Sequence, residues 1–399
     1  MGLRKGLDIS MYDRKTLSEV IPGDVILHPL YRSDGLLFIT RYKTFSKSIY
    51  SHIRKQFNSK LPILTTSIPV DEKLLESLYS DPDFILSLKS VFEIHKSNAQ
   101  SNIQFQDFID CSYFHPSADI KIEKDTSQKI NYPLLNWDIV NSTFDSERII
   151  SRARVVSERF TNIFKEDESL YELYLSLSNY HDVLYIHSIN TASITFMIGL
   201  SLELSDDELI NLSLAALFAD IGFINYSESE FSDYLNTGRL DKKMFTEHIK
   251  GSVEIISKSK FCRQKDIVYG ILDHHEEYSG TGYPHGKVSE DIHLFGRIIS
   301  IAQKYDELVG GYLLEEIYYP FEALESIWYN NHSKYDSRII YSFVSKSKIY
   351  KLGETIQLNR ETVGEVIGFS DYLNFPLHPK VKLTNGKIID LKNNSEALF

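Results

Sequence analysis

From about Ser146 to residue 345 the apolar residues of this chain recur with the 3.6-residue period of a helix. A stripe of that length can be buried only by packing helix on helix, so the body of the protein is expected to be a helical bundle. Ser205-Asp206-Asp207-Glu208 has the form of a capping box ahead of Leu209, Ile210, Leu212 and Leu214, which predicts a buried helix ending near Phe218. Further helices fit Lys242–Ser257, Gln264–Glu277, Leu294–Leu308 and Pro320–Asn330. The flanks have a different texture. Ile21 to Leu27 and Leu36 to Ile39 read as two short strands joined through the turn at Ser33-Asp34-Gly35, followed by helices around Ile49, Ile53 and Phe57 and over Asp71–Leu78. Strands return after Tyr350, over Gly353–Leu358, Val363–Ile367 and Lys380–Leu383, with Asn385-Gly386 as a turn signal. The polar stretch 97–145, with Pro116 and Pro133, reads as a linker or extended arm. The fold class is therefore mainly α: an N-terminal α+β domain over 1–96, the arm over 97–145, a helical domain over 146–345 and a C-terminal β element over 346–399.

Charge narrows the partners. The 399 residues carry a net charge of −12, which disfavours a general binder of nucleic acid polymers or anionic membranes. The imbalance is local: residues 1–60 hold 11 Lys and Arg against 5 Asp and Glu, residues 181–310 hold 11 against 20. The basic start reads as a solvated face, whereas the acidic centre suggests a place for cations. The apolar runs Ile194–Leu202 and Leu212–Phe218 fall short of the ~18–20 residues of a membrane helix, so no span is expected. Only Cys111 and Cys262 occur, which gives no disulfide framework and suits a reducing, cytoplasmic compartment.

The chemistry concentrates in the acidic centre. Seven of the 13 histidines lie between His181 and His293. His187 falls on one predicted helix, Asp220 ends the next, His248 lies on a third, and the adjacent His274 and His275 end a fourth. Imidazole and carboxylate supplied by separate helices is how a bundle builds a closed site for an ion such as Fe, Mn or Zn. His181 with Asp182 reads as surface, His285 and His293 as outer neighbours of the site at most, and Trp137 and Trp328 as packing residues.

His187, Ala219-Asp220-Ile221-Gly222, His248-Ile249-Lys250-Gly251, the run from His274-His275-Glu276 to Gly282-Tyr283-Pro284, Arg297-Ile298 and Tyr305-Asp306 together resemble the HD-GYP family. This is the bacterial branch of the HD phosphohydrolases that hydrolyses cyclic di-GMP with two or three metal ions. The resemblance covers about 146–345, and it implies metal ligands at His187, Asp220, His248, His274 and His275, with Asp220 the catalytic bridging ligand. It also shows losses. The His of the family's His-Asp pair is Ala219, the late Asp that closes one ion site is Gln303, and the upstream carboxylate of three-metal members is Val183. A family Lys is Phe223, an Arg is Glu277, an Asp is Ser279, and a downstream Arg-rich stretch is Tyr312 to Glu316. Alanine offers no ligand atom and an amide is a poor substitute for a carboxylate, so the resemblance implies at most one divalent ion. The exchanges around it turn donors for a dianion into apolar or anionic groups, which disfavours cyclic di-GMP itself. The expected function is a degenerate, regulatory or protein-interaction module of cyclic di-GMP signalling. The alternative is an active metal-dependent phosphodiesterase, for cyclic di-GMP or another phosphoester, with a reduced site. Gly280, Gly282, Tyr283 and Pro284 persist, and in the family this loop is implicated in docking other signalling proteins. Two placements follow: the five ligands should converge with Ala219 and Gln303 on the same wall, and Phe223 and Glu277 should line the pocket.

Overall fold

The structure is a computed structural model, and it describes residues 11–32, 34–98, 105–109, 143–144, 146–237, 242–311, 317–318, 320–330, 333–347, 352–353, 355–358, 362–372, 375 and 377–393. Ser33, Cys111, Pro116, Pro133, Trp137 and the stretch Tyr312 to Glu316 lie outside them, as does most of the expected arm. The chain forms two compact units, Met1–Asn131 and Tyr132–Phe399.

The first unit combines a three-stranded antiparallel sheet, a separate two-stranded hairpin and helices. Strands β1 (Asp13–Thr16), β2 (Val25–Ile26), β3 (Leu30–Tyr31) and β4 (Leu37–Ile39) are followed by helix α1 (Lys47–Gln56), strand β5 (Pro62–Thr66) and helices α2 (Glu72–Ser80), α3 (Pro82–Asn98) and α4 (Phe105–Phe108). The expected pairing of the two N-terminal strands is not what forms. β2 pairs with β5, and the hairpin joins β3 to β4 instead. The cause is local: Gly35 N donates to Arg32 O and Arg32 N to Leu36 O, and this tight turn closes on Tyr31 and Leu37, leaving Val25 beyond its reach. Leu74, Leu78, Phe84, Leu88 and Phe92 form the core with Phe108 and Ile109. Those last two lie in the stretch expected as an arm, part of which is thus core.

This core holds two histidines with every ring nitrogen accounted for except one. His28 Nδ1 donates to Pro29 O (3.0 Å), its Nε2 accepts from Leu64 N (3.1 Å), and His95 Nε2 donates to Pro62 O (2.8 Å). Burial pushes both imidazoles down, His28 well below the usual range and further so because His95 is near, and His95 to about 4. Neutral when folded, they take up protons more readily in the unfolded chain. Stability is therefore full above pH 6.5 and is lost as the pH falls from there toward about 4, with His95 alone contributing up to about 3 kcal/mol. The urea midpoint of the first unit's transition in the full chain should drop between pH 7 and 5, and less so in His95→Gln, which keeps a donor for Pro62 but does not titrate.

The second unit is the predicted bundle. It comprises α5 (Glu147–Glu166), α6 (Glu168–Tyr180), α7 (Asp182–Ser201), α8 (Asp206–Leu217), a 3-10 turn at Ile221–Asn225, α9 (Glu228–Thr237), α10 (Lys242–Ile256), α11 (Lys265–Asp273), α12 (Leu294–Gly310), α13 (Pro320–Glu325) and α14 (Ser337–Ser347). The capping box forms as expected: Ser205 Oγ accepts from Glu208 N, and the Glu208 carboxylate accepts from Ser205 N (2.8 Å). By length and composition α7 is apolar enough to cross a membrane, but 94% of that stretch is buried among its neighbours, so it is the central helix of the bundle. His181 is buried, not at the surface, because its Nδ1 accepts from Val183 N (3.2 Å) and caps α7.

The C-terminal element is a four-stranded antiparallel meander of β6 (Thr355–Gln357), β7 (Val363–Phe369), β8 (Pro379–Leu383) and β9 (Ile388–Asp390). Gly386, at φ 82°, makes the turn into β9, a strand the turn signal demanded but the sequence reading left out. His378 ties this sheet to the bundle: its Nδ1 meets Tyr329 Oη at 2.8 Å and its Nε2 meets Glu325 Oε1 at 3.1 Å.

Candidate metal centre

Asp220 stands where α8 has ended and the 3-10 turn begins. Two hydrogen bonds sew that turn to α10: Gly222 N donates to Ser252 Oγ (2.8 Å), and Ser252 Oγ donates to Ala219 O (2.7 Å). The approach is so close that a Cβ on Gly222 would lie 1.9 Å from His248 O, so only glycine fits. The turn thereby sets Asp220 against His248. The end of α11 brings His274 and His275 to the same point, and α7 brings His187.

Asp220, His248, His274 and His275 offer ligand atoms that all lie within 4.8 Å of one another. Asp220 Oδ1 is 3.3 Å from His248 Nε2, 3.4 Å from His274 Nε2 and 3.9 Å from His275 Nε2. Donors ~2.1 Å from a tetrahedral ion stand about 3.4 Å apart, which the two nearer spacings match. The protonation pattern fits as well. His248 Nδ1 donates to Met244 O (3.3 Å) and His274 Nδ1 to Ile271 O (2.5 Å), so the lone pairs sit on the Nε2 atoms that face Asp220. Those two Nε2 atoms are fully buried and have no hydrogen-bond partner. Burying unpaired nitrogens is costly, and a cation at their focus would satisfy both. Burial opposes the charge of Asp220, and what outweighs it and holds the carboxyl well below its usual range is positive charge at the His248 and His274 Nε2 positions, the place a bound cation would take. Burial lowers His248 despite Asp220, and burial together with the neighbouring imidazoles lowers His275 well below its ordinary value. Near neutral pH Asp220, His248 and His275 thus present one carboxylate and two neutral rings, the donor state a divalent ion needs.

The other oxygen of Asp220 faces a different company. Gln303 Nε2, on α12, donates to Oδ2 at 2.6 Å, and His187 Nε2 lies 3.8 Å from it. His187 is thus on the same wall but apart from the four-donor group in which the sequence reading had included it. Its Nδ1 donates to Asp306 Oδ2 at 2.7 Å, which fixes the ring with Nε2 toward Asp220; against the cost of burial, that carboxylate raises the imidazole to about 9. Ala219 is wholly buried beside Asp220.

A cavity of about 250 Å³ opens on this wall, lined by Asp220, His187, His275, Gln303 and Glu307 and by apolar and aromatic residues that include Phe223, Tyr234, Phe245 and Tyr283. Phe223 stacks on His248 (4.3 Å between centroids) and Tyr283 on His275 (4.7 Å). Phe223 lines the cavity as expected; Glu277 does not. Its carboxylate is drawn away to Lys334 Nζ (2.9 Å) and to Thr281 Oγ1. Ser279 is exposed at the loop tip. Of the loop glycines, Gly280 takes φ 83°, whereas Gly282 is required by space: a Cβ there would meet Glu277 N at 2.1 Å.

Sequence reasoning missed the residues that brace this loop. Glu276 accepts from His285 N (2.7 Å) and Lys287 N (3.0 Å), while Asp273 accepts from Lys287 Nζ (2.7 Å) and His293 N (2.9 Å). Both carboxylates are buried, and with Tyr283 N donating to His275 O (3.1 Å) they press Tyr283 against the centre. His293 is therefore a bracket of the loop, with its Nε2 on Asp266 (3.3 Å). Glu307, one turn after Gln303 on α12, was legible by spacing; Tyr234 and Phe245 carried no signal.

Bundle and site together define a helical domain with a histidine-rich, one-carboxylate metal centre. Residues 163–339 match the family described as HD domain, and this part of the chain is an HD domain. It is 25% identical over 228 residues to the cyclic di-GMP phosphodiesterase PdeB of Borreliella burgdorferi, covering 55% of this chain and 57% of the relative. It is 25% identical over 236 residues to the cyclic di-GMP phosphodiesterase PA4108 of Pseudomonas aeruginosa, covering 57% of this chain and 54% of the relative. The match thus spans little more than half the length of these relatives. A solved HDG"Y"P protein from Bdellovibrio bacteriovorus aligns over 83% of this chain and 98% of its own, with 14% identity and a TM-score of 0.34.

Proposed function

We propose that this HD domain is a one-ion, hydrolysis-impaired regulatory module of cytoplasmic cyclic di-GMP signalling, with the Gly280 to Pro284 loop as a surface for a signalling partner. One observation carries the reading: the Oδ2 of Asp220, the oxygen that would have to bridge to a second ion, is occupied by the Gln303 amide at 2.6 Å. Asp220, His248, His274 and His275 would hold the remaining ion, which when bound supplies Lewis acidity at that point. Ala219 gives no donor toward a second. The names of the relatives support the signalling context, and the rigid bracing of the loop by Glu276 and Asp273 supports a preformed surface.

Elemental analysis of the purified protein, with cyclic di-GMP turnover measured on the same sample, tests this. One ion per chain without turnover is the expected result; two ions, or turnover with added Mn²⁺ or Fe²⁺, would overturn it. Gln303→Asp puts a second carboxylate against Asp220. Without metal its Tm should fall, because two buried carboxylates repel, and excess Mn²⁺ should restore it, an effect the parent protein should not show beyond its single ion.

A further inference from the structure

We propose that Gln303 makes this a zinc centre: by tying off Oδ2 it leaves Asp220 a single oxygen to give, and the four-donor set that results selects Zn²⁺ over ions that favour six ligands. This rests on the one-ion reading above. The first argument is the Gln303 amide itself. From a buried position on α12 it donates to Oδ2 at 2.6 Å, and Oδ1 alone turns to His248, His274 and His275. A carboxylate held in this way cannot bring both oxygens onto one ion, which is how Asp raises a coordination number. The second argument is spacing. Oδ1 stands 3.3, 3.4 and 3.9 Å from the three Nε2 atoms. Adjacent donors of an octahedral ion, at ~2.1 Å from it, stand only roughly 3.0 Å apart. The third is rigidity. The buried rings of His248 and His274 are anchored at Nδ1 by Met244 O and Ile271 O, and Phe223 lies against His248 at 10° from parallel. Neither ring can close up to octahedral spacing without giving up these contacts. Among the described residues no further His, Cys, Asp or Glu joins the four.

These features sort the ions. Mn²⁺ and Fe²⁺ stand low in the general order of affinity, and Mn²⁺ suits oxygen ligands more than imidazole. Ni²⁺ is the sharper rival, because imidazole suits it as well as it suits Zn²⁺. The d electrons of Ni²⁺, however, gain stability from octahedral or square-planar donors and forfeit it among four tetrahedral ones. Zn²⁺ has a filled d shell and forfeits nothing.

Dialysis of the metal-free full chain against equal free concentrations of Zn²⁺ and Ni²⁺, followed by elemental analysis, tests the proposal. Zn²⁺ should be retained about ten-fold or more over Ni²⁺. The same chain loaded with Co²⁺ should show the intense visible bands of a four-coordinate ion, where a six-coordinate one absorbs faintly. Gln303→Leu keeps most of the side chain's bulk but removes the donor on Oδ2. Losing an outer partner of a metal ligand typically costs ~10–100-fold in affinity. Here the loss should fall on Zn²⁺, so the ratio of Zn²⁺ to Ni²⁺ should narrow and the cobalt bands should fade. Retention of Ni²⁺ equal to or above that of Zn²⁺ overturns the proposal, and so does a faint cobalt spectrum. Both are read on the parent chain and do not depend on how the variant folds. A Gln303→Leu protein that melts cooperatively with ratio and bands unchanged overturns it too, because the amide would then not set the coordination. The ion count separates the two readings. Two ions per chain, or none, would refute the one-ion centre, whereas one ion without preference for Zn²⁺ would refute the zinc assignment alone.

Discussion

Asp220→Asn should empty the metal centre. The amide has nearly the shape of the carboxylate, so the Gln303 and His187 side of the residue changes little, but the only anionic donor among Asp220, His248, His274 and His275 disappears. The imidazoles of His248, His274 and His275 then face a neutral oxygen in a largely buried place, and a divalent ion must be desolvated with no anionic ligand among them. Removing even an outer partner of a metal ligand typically costs ~10–100-fold in affinity, and a direct anionic ligand should cost more than the upper end of that range. Elemental analysis should therefore show occupancy falling from one ion per chain to near zero. Asp306→Asn is the control, because Asp306 meets the centre through His187. It should leave the ion content intact, and an ion lost in both variants would place His187 among the ligands after all.

Gly222→Ala should be the most damaging small substitution in the domain. The added methyl would sit 1.9 Å from His248 O and 2.7 Å from Ser252 N, backbone atoms of α10 that cannot swing aside as a side chain would. The turn and the helix must part, which breaks the Ser252 hydrogen bonds and moves His248 from Asp220 together. Overpacking of this kind sits at or beyond the ~3 kcal/mol end of its usual range, which lowers the Tm of a domain this size by roughly 6–12 °C. The metal readout distinguishes this from general destabilisation: at temperatures where the variant is still folded, ion content should already have dropped.

Much of the centre was legible along the chain because its chemistry is carried by residue types at helix positions. His248 on one helix, His274 and His275 at the end of another, and Asp220 just past a capped helix could be placed before any coordinates, since periodicity and capping fix which residues face a core. The substitutions at Ala219, Phe223 and Gln303 were legible too, but only as losses. That Gln303 is a donor to Asp220, and so fills the place it was thought merely to vacate, depends on α12 crossing near the end of α8. Glu277 shows the converse. Its charge suggested a pocket residue, yet Lys334, 57 positions later, draws it out of the lining.

The N-terminal hairpin failed for a related reason. Strand tendency was correctly seen at Val25 and at Leu37, but strand partners are chosen by turn geometry and by what covers the sheet, and β5 competes for β2 from beyond α1. Local sequence therefore determined most elements of this protein and the ligand types, because those follow from period, capping and side-chain chemistry, whereas the missing donors were legible only through the resemblance to the HD-GYP family. Tertiary structure alone decided the two faces of Asp220, the aromatic lining contributed by α9 and α10, and the bracing of the loop by Asp273 and Glu276. Each of these is a distance between residues remote in sequence, set by how packed helices cross, and no local pattern encodes that.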